Sequence, residues 1–216
     1  LHLFFRYISN RLNLSTNMKK IIAFFLVLIA SNAYSQLSEV RFREQTFANG
    51  MTYPQVIISA SKKCEDSINN DILRRIADLK ASDFCIGQYG YVQKSTHLQI
   101  HIFCNCIDFE ESQNRFFLYN LDEGMAVPYS DLINPKKKED AGKFISHKVK
   151  TFLGSKAVEL TDELIQKIES ENLDAFKVEM TKDGVKLWMP ELETWGETPF
   201  EITWIELKPF LKYHFI

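Results

Sequence analysis

The stretch from His97 to Cys106, HLQIHIFCNC, holds two of the chain's five histidines and two of its four cysteines. Histidine and cysteine side chains bind zinc, form catalytic pairs and take part in redox reactions. On a helix, His97 and His101 would be neighbours on one face, which is the spacing of a helical zinc site. The chemistry open to this stretch therefore depends on its backbone and on its compartment.

The alternation of residue types in this stretch predicts a β-strand. Successive side chains on a strand point to opposite faces, so His97 and His101 would face away from Cys104 and Cys106. At ~3.3 Å per residue the two histidines would lie about 13 Å apart, too far to share a metal ion. We therefore expect sheet-surface histidines here and no metal, cofactor or catalytic residue.

Residues Met18–Ser35 have the pattern of a secretory signal peptide. Two lysines follow Met18, the apolar run Ile21–Ala30 comes next, and small residues precede Ser35. The run is shorter than the roughly 20 apolar residues of a membrane-spanning helix, so an N-terminal anchor is the weaker alternative. We expect translation to start at Met18, with residues 1–17 upstream sequence or an extended leader, and cleavage after Ser35. The mature protein would be periplasmic or secreted.

The charge of the mature chain excludes one large class of partners. Residues 36–216, a length that fits a single domain, contain 22 basic and 28 acidic residues, a net charge of about −6. Nucleic-acid binding requires clustered lysine and arginine, and the basic run Lys136–Lys138 is expected at the solvated start of a helix. A mildly acidic domain would attract a cationic partner.

Four cysteines in an exported chain predict two disulfides. Cys104 and Cys106 share a strand face nearly 7 Å apart, too far for an unstrained bond between them. A hairpin turning within residues 94–96 places Cys85 opposite Cys104 in one register and opposite Cys106 in the other. Either register leaves Cys64 to bond with the remaining cysteine.

The order of predicted elements indicates an α+β fold. A helix with Ile68, Ile72 and Ile76 on one face, capped by Asp66 or Ser67, interrupts a series of strands. Two further helices come before a C-terminal hairpin with an Asp-Gly turn. This order is not the alternation of a parallel sheet, so we expect an antiparallel sheet with two to three helices packed against it.

The sequence contains no recognised catalytic motif. The signatures of serine hydrolases, zinc proteases, P-loops and dinucleotide-binding folds are all missing. A glycosidase-type pair of carboxylates, which is spatial rather than sequential, stays open. Trp188 and Trp204 are expected in the core, whereas Trp195 lies with Glu191 and Glu193 in a Pro- and Gly-containing segment. Exposed aromatic residues on loops suit recognition, so this segment is a candidate recognition loop.

The C-terminal segment Phe176–Leu211 resembles the RsiV-like domain of unknown function. It has that family's order of strand, Asp-Gly turn, strand, loop and a strand leading into an ELK motif. Arg115–Ile133 resembles the preceding stretch of the family, and Tyr53–Lys80 its N-terminal part. Known members include the ectodomain of a lysozyme-sensing anti-sigma factor and a module preceding a peptidoglycan deacetylase. The resemblance implies an exported α+β domain that acts at the cell envelope by binding.

Two departures limit what can be carried over from that family. CNCIDFEESQNR stands where the family has Gly-Gly-Ala-His, and the loop that holds Trp195 lacks the family's tyrosines. The leading hypothesis is a non-enzymatic binding domain of the cell envelope, whose partner is a cell-wall glycan or a lysozyme-like cationic protein. The alternatives are an envelope glycan hydrolase with scattered carboxylates and a structural envelope protein.

Overall fold

The computed structural model describes residues 40–110, 112–156, 160–189 and 199–212. These residues form antiparallel sheets and helices, which confirms the predicted α+β fold. Within these ranges, no helix is long and apolar enough to cross a membrane.

Within the described residues, the strands form three separate sheets, whereas one sheet was predicted. Two strands make the first sheet, four the second and three the third, and all neighbouring strands run antiparallel. Each sheet consists of strands that follow one another along the chain, so every connection within a sheet is local. The first sheet contains β1 (Val40–Thr46) and β2 (Thr52–Ile58), the second β3 (Cys85–Lys94), β4 (His97–Cys106), β5 (Gln113–Asn120) and β6 (Met125–Ala126), and the third β7 (Lys177–Met180), β8 (Gly184–Trp188) and β9 (Phe200–Thr203).

In the described part of the chain, two α-helices lie between the first and second sheets, two lie between the second and third, and a short one follows the third. The basic run near Lys137 does mark a helix start, as expected, and the Thr161 side chain caps a later helix as an N-cap. The α-helices are α1 (Lys62–Arg75), α2 (Ala77–Ala81), α3 (Lys138–Ser155), α4 (Asp162–Glu171) and α5 (Trp204–Leu207), and 3-10 turns span Tyr129–Leu132, Pro135–Lys137 and Asn172–Ala175.

Helix α1 begins earlier than its apolar face indicates. The expected caps Asp66 and Ser67 lie inside the helix, and the Ser61 hydroxyl accepts a hydrogen bond from the Cys64 amide at 3.3 Å. The regular spacing of apolar residues starts only at Ile68, so it could not indicate that the helix begins with a polar turn before that residue. Cys64 therefore lies in the first turn of α1 and not before the helix.

The four-stranded middle sheet contributes side chains to two different cores. Leu98, Ile100 and Ile102 are buried with the apolar face of α1 and with the first sheet. A second core joins α3, α4 and the third sheet, and it reaches the four-stranded sheet through Leu118. The middle sheet thus has one face covered by α1 and the other face covered over only part of its length.

Helices α3 and α4 approach closely at Gly142. A Cβ atom at this position would lie 2.4 Å from the backbone oxygen of Glu169. We expect Gly142→Ala to lower the free energy of unfolding by about 2 kcal/mol in urea denaturation, because overpacking outweighs the ~1 kcal/mol gained from alanine's helix propensity. Gly154→Ala, in the same helix with open space around it, is the matched control and should stabilise. Stabilisation by both substitutions would contradict the close approach.

Candidate recognition groove

The β3–β4 hairpin decides between the two predicted disulfide registers. Lys94 pairs with His97, so the loop is Ser95–Thr96 and Cys85 stands opposite Cys106. These two cysteines are joined by a disulfide with their Cα atoms 4.1 Å apart. Cys85 therefore bonds to one of its two expected partners.

The second predicted disulfide is not formed, since Cys64 and Cys104 are both free and buried. The Cys64 sulfur lies 3.9 Å from the carbonyl oxygen of Asp122, just beyond one end of β5. Cys104 pairs with Gln113 at the other end of β5. Seven residues at ~3.3 Å each separate these ends by about 23 Å. Burial raises the pKa of the Cys104 thiol, which disfavours the reactive thiolate.

His97 and His101 face away from the cysteines as predicted, but His97 is buried and not on the sheet surface. The 3-10 turn at Tyr129–Leu132 covers the start of β4, and the His97 Nε2 atom lies 3.2 Å from an Asp131 carboxylate oxygen. Burial lowers the pKa of His97, so its neutral ring donates to Asp131. Asp131 also accepts from Lys212 at 3.0 Å. These three side chains, of which His97 is the buried one, link β4 to the C-terminal segment.

Gln99 connects the middle sheet to the edge of the third sheet. Its Nε2 atom donates to the Val178 carbonyl at 2.8 Å and to the Tyr129 hydroxyl at 2.6 Å, and its Oε1 atom accepts from the Met180 amide at 2.6 Å. A carbonyl and an amide two residues apart are the groups that a neighbouring strand would bond. The Gln99 amide therefore substitutes for a strand beside β7 and positions Tyr129.

A groove of about 420 Å³ lies where β5 meets β7. This volume falls within the range of small-molecule sites. One wall comes from β5, and the other from the 3-10 turn before β7 together with β7 itself. The lining residues are Asn114, Phe116, Tyr129, Lys167, Asp174, Ala175, Phe176, Lys177 and Val178.

Phe116 is the centre of an aromatic row beside this groove. The His101 ring stacks on Phe116 with centroids 4.2 Å apart, and Trp188 lies 6.0 Å away on a nearly parallel plane. The His101 Nε2 atom is 2.9 Å from the Asn114 side-chain oxygen, which holds the imidazole in place. Trp188 is half-buried in this row, contrary to the expected core position, whereas Trp204 is buried as expected. The three rings stack on one another, so the row presents apolar ring edges next to hydrogen-bonding groups.

Charges of both signs flank the aromatic row. The Lys177 ammonium lies 5.5 Å from the Phe116 ring centroid, and burial lowers the pKa of Lys177. No carboxylate of the described residues forms an ion pair with Lys177. Asp174 on the facing wall is exposed, and one carboxylate oxygen accepts from the Ser130 amide at 3.0 Å. The groove therefore offers an unneutralised cation and a carboxylate that retains free lone pairs.

The candidate recognition loop with Glu191, Glu193 and Trp195 falls in residues 190–198, outside the described part of the chain.

The sequence patterns did not identify the groove residues, although the position of Phe116 could have been recognised. Phe116 and Phe117 are adjacent on a strand, so one of them had to leave the core that the other entered. No pattern in the sequence indicates that Lys177 lies beside β5 in the fold.

A second cleft, of about 410 Å³, lies between α3 and β9. At its edge Lys148 forms an ion pair with Glu206, which also accepts from the Thr203 amide, and these contacts lower the pKa of Glu206 to about 2. The described lining contains no carboxylate, and no group of three or more metal-ligating side chains occurs in the described ranges. The lining residues are His147, Lys148, Thr151, Phe152, Ser155 and Phe200.

An exposed apolar patch surrounds the disulfide end of the β3–β4 hairpin. Phe84 and Ile107 continue the ladder beyond the disulfide, where the Ile107 amide donates to the Phe84 carbonyl at 3.0 Å. Ile86, 63% exposed, shares their face because side chains alternate along the strand. The patch comprises Phe84, Ile86, Phe103 and Ile107, and the exposed acids nearest to it in the chain are Asp83, Asp108 and Glu110.

Comparisons with known proteins find structural neighbours only. No family model and no curated protein matches the chain. A DUF3298 family protein from Pseudomonas aeruginosa PAO1 is 11% identical, with a TM-score of 0.46 over 81% of this chain and 94% of that chain. A DUF3298 family member from Bacteroides fragilis NCTC 9343 is 11% identical, with a TM-score of 0.39 over 82% of this chain and 92% of that chain. The structural neighbours of this chain are thus members of a family of unknown function.

Proposed function

We propose that this protein is an exported, non-enzymatic binding domain of the bacterial cell envelope that binds cell-wall glycan in the groove between β5 and β7. The observation that carries the proposal is the aromatic row of Trp188, Phe116 and His101 beside polar side chains. Sugar rings have apolar faces and polar edges, so apolar aromatic surface next to hydrogen-bonding groups suits their binding. The signal-peptide pattern of Met18–Ser35 supports the envelope location.

The arrangement of carboxylates supports binding over glycan hydrolysis. Glycosidases place two carboxyl groups about 5 to 9.5 Å apart across the scissile bond. Asp174 is the one carboxylate among the described lining residues of the groove, and the cleft beside α3 has none in its described lining. The described lining of these two cavities therefore contains no carboxylate pair that a glycosidase could use.

Phe116→Ala tests the glycan proposal. We expect the Kd for soluble peptidoglycan fragments, measured by isothermal titration calorimetry, to rise about tenfold, because loss of an apolar side chain that the ligand covers costs on the order of 1 to 3 kcal/mol. Phe103→Ala is the matched control, since Phe103 lies on the same sheet face outside the groove lining and should leave the Kd unchanged. Absence of measurable binding to the unmodified protein would refute the proposal, as would equal Kd values for Phe116→Ala and the parent.

A lysozyme-like cationic protein is the second candidate partner. The apolar patch around Ile86 and Ile107, with acids next to it in the chain, favours a partner that is both apolar and basic. Co-elution of the protein with lysozyme in size-exclusion chromatography would support this candidate, and Ile86→Lys should abolish it. Separate elution at low ionic strength would refute it.

A further inference from the structure

We propose that the groove selects sugars that carry a carboxylate, with the Lys177 ammonium as the group that binds it. The inference rests on the proposed glycan-binding function and names the chemical class of ligand within it. Its basis is the position of one cation in the groove, against the aromatic row that a bound sugar would contact.

The surroundings of the Lys177 ammonium favour the binding of an anion. It starts β7, its side chain is half-buried against Phe116, and no described carboxylate pairs with it. A partly desolvated ammonium loses hydration that only an anion or a π-face can replace. The Phe116 ring replaces part of this hydration, and the ammonium keeps N–H donors for a further partner. A carboxylate on a sugar bound in the groove would accept from these donors.

Two other polar side chains of the groove can form hydrogen bonds with the rest of the sugar. Tyr129 accepts from Gln99, so its own O–H proton is available to donate to a sugar oxygen. Asp174 uses one oxygen for the Ser130 amide and can accept from hydroxyl or amide groups of a sugar with the other. Because Asp174 is itself negative, a ligand with a single carboxylate fits the groove better than a multiply charged one. A muramic acid residue, with its lactyl carboxylate, and a hexuronic acid, with its ring carboxylate, both have this chemistry.

The test compares matched sugars with and without the charge. The purified protein is titrated calorimetrically with the N-acetylglucosamine–N-acetylmuramic acid disaccharide, with the same disaccharide after reduction of its carboxyl group to an alcohol, and with methyl α-galacturonide, which has one carboxylate, against methyl α-galactoside. We expect the muramyl acid to bind about tenfold more tightly than its reduced form. In Lys177→Met, whose side chain can keep its contact with Phe116, this ratio should fall to within twofold of one.

Controls separate this inference from the proposed function. Lys177→Arg should keep a preference for the acid, whereas Phe116→Ala should weaken the acid and the reduced sugar alike; thermal melting of each variant confirms folding. Equal binding of acid and reduced sugar by the parent protein overturns the carboxylate inference and leaves glycan binding standing. Binding of none of the sugars overturns both. A preference for methyl α-galacturonide over methyl α-galactoside extends the class to uronic acids. If that preference is absent and the muramyl preference remains, the ligand class is the lactyl carboxylate of muramic acid.

Discussion

Gln99→Leu is expected to lower the free energy of unfolding by about 4 kcal/mol, since each buried polar group left without a partner costs about 1 to 3 kcal/mol. The substitution removes one acceptor and two donors from a side chain that is 2% exposed. The Val178 carbonyl and the Met180 amide at the edge of β7 would lose the groups that complete their hydrogen bonding, and the Tyr129 hydroxyl would lose its donor. Urea denaturation followed by circular dichroism measures the effect.

Gln88→Leu is the matched control for this prediction. Gln88 lies on β3 of the same sheet, is exposed, and pairs across the ladder with Phe103. Surface substitutions of this kind change stability by about 0.5 kcal/mol or less. A loss in Gln99→Leu no larger than in Gln88→Leu would show that the Gln99 amide does not join the two sheets.

Gln99 also shows which structural features a local sequence pattern can predict and which it cannot. Alternation along HLQIHIFCNC correctly places Gln99 on the face opposite Leu98 and Ile100, where a polar residue is expected in solvent. The structure buries it because Val178 and Met180, about 80 residues further along the chain, pack on that face. Periodicity encodes which side chains share a face, but what covers a face depends on contacts between distant elements.

The same limit explains the outcome for His97 and for the groove. His97 was expected on the sheet surface, yet the turn that contains Asp131 covers it. Phe116 and Lys177 meet although they are 61 positions apart, and neither belongs to a recognisable motif. The class of fold and most elements could be predicted because they depend on composition and short-range periodicity. The site could not, because it forms where two sheets meet.

The disulfide could be predicted only in part. The predicted hairpin allowed two registers, and the geometry of the turn decides between them. Ser95 adopts a positive φ of 52° at the first loop position. This conformation suits the tight two-residue loop Ser95–Thr96, and the loop in turn brings Cys85 opposite Cys106. The partner of Cys64 depended instead on where α1 packs along β5, which no hairpin rule describes.

The double substitution Cys85→Ala and Cys106→Ala should lower the free energy of unfolding by about 3 kcal/mol. The bond closes a loop with a sequence separation of 21 residues, and the chain-entropy estimate for a loop of this length is about 3 kcal/mol. Replacing both cysteines avoids leaving a single unpaired thiol at either position. Chemical denaturation of the oxidised parent and of the double variant gives the difference.

Reduction by dithiothreitol provides the internal control for this measurement. The parent should lose about the same 3 kcal/mol on reduction, and the double variant should lose nothing, because Cys64 and Cys104 are free and lie near opposite ends of β5. A double variant that still loses stability in reductant would require a bond between Cys64 and Cys104. Such a bond would move α1 along β5 by most of the strand's length and would overturn the packing of the first core.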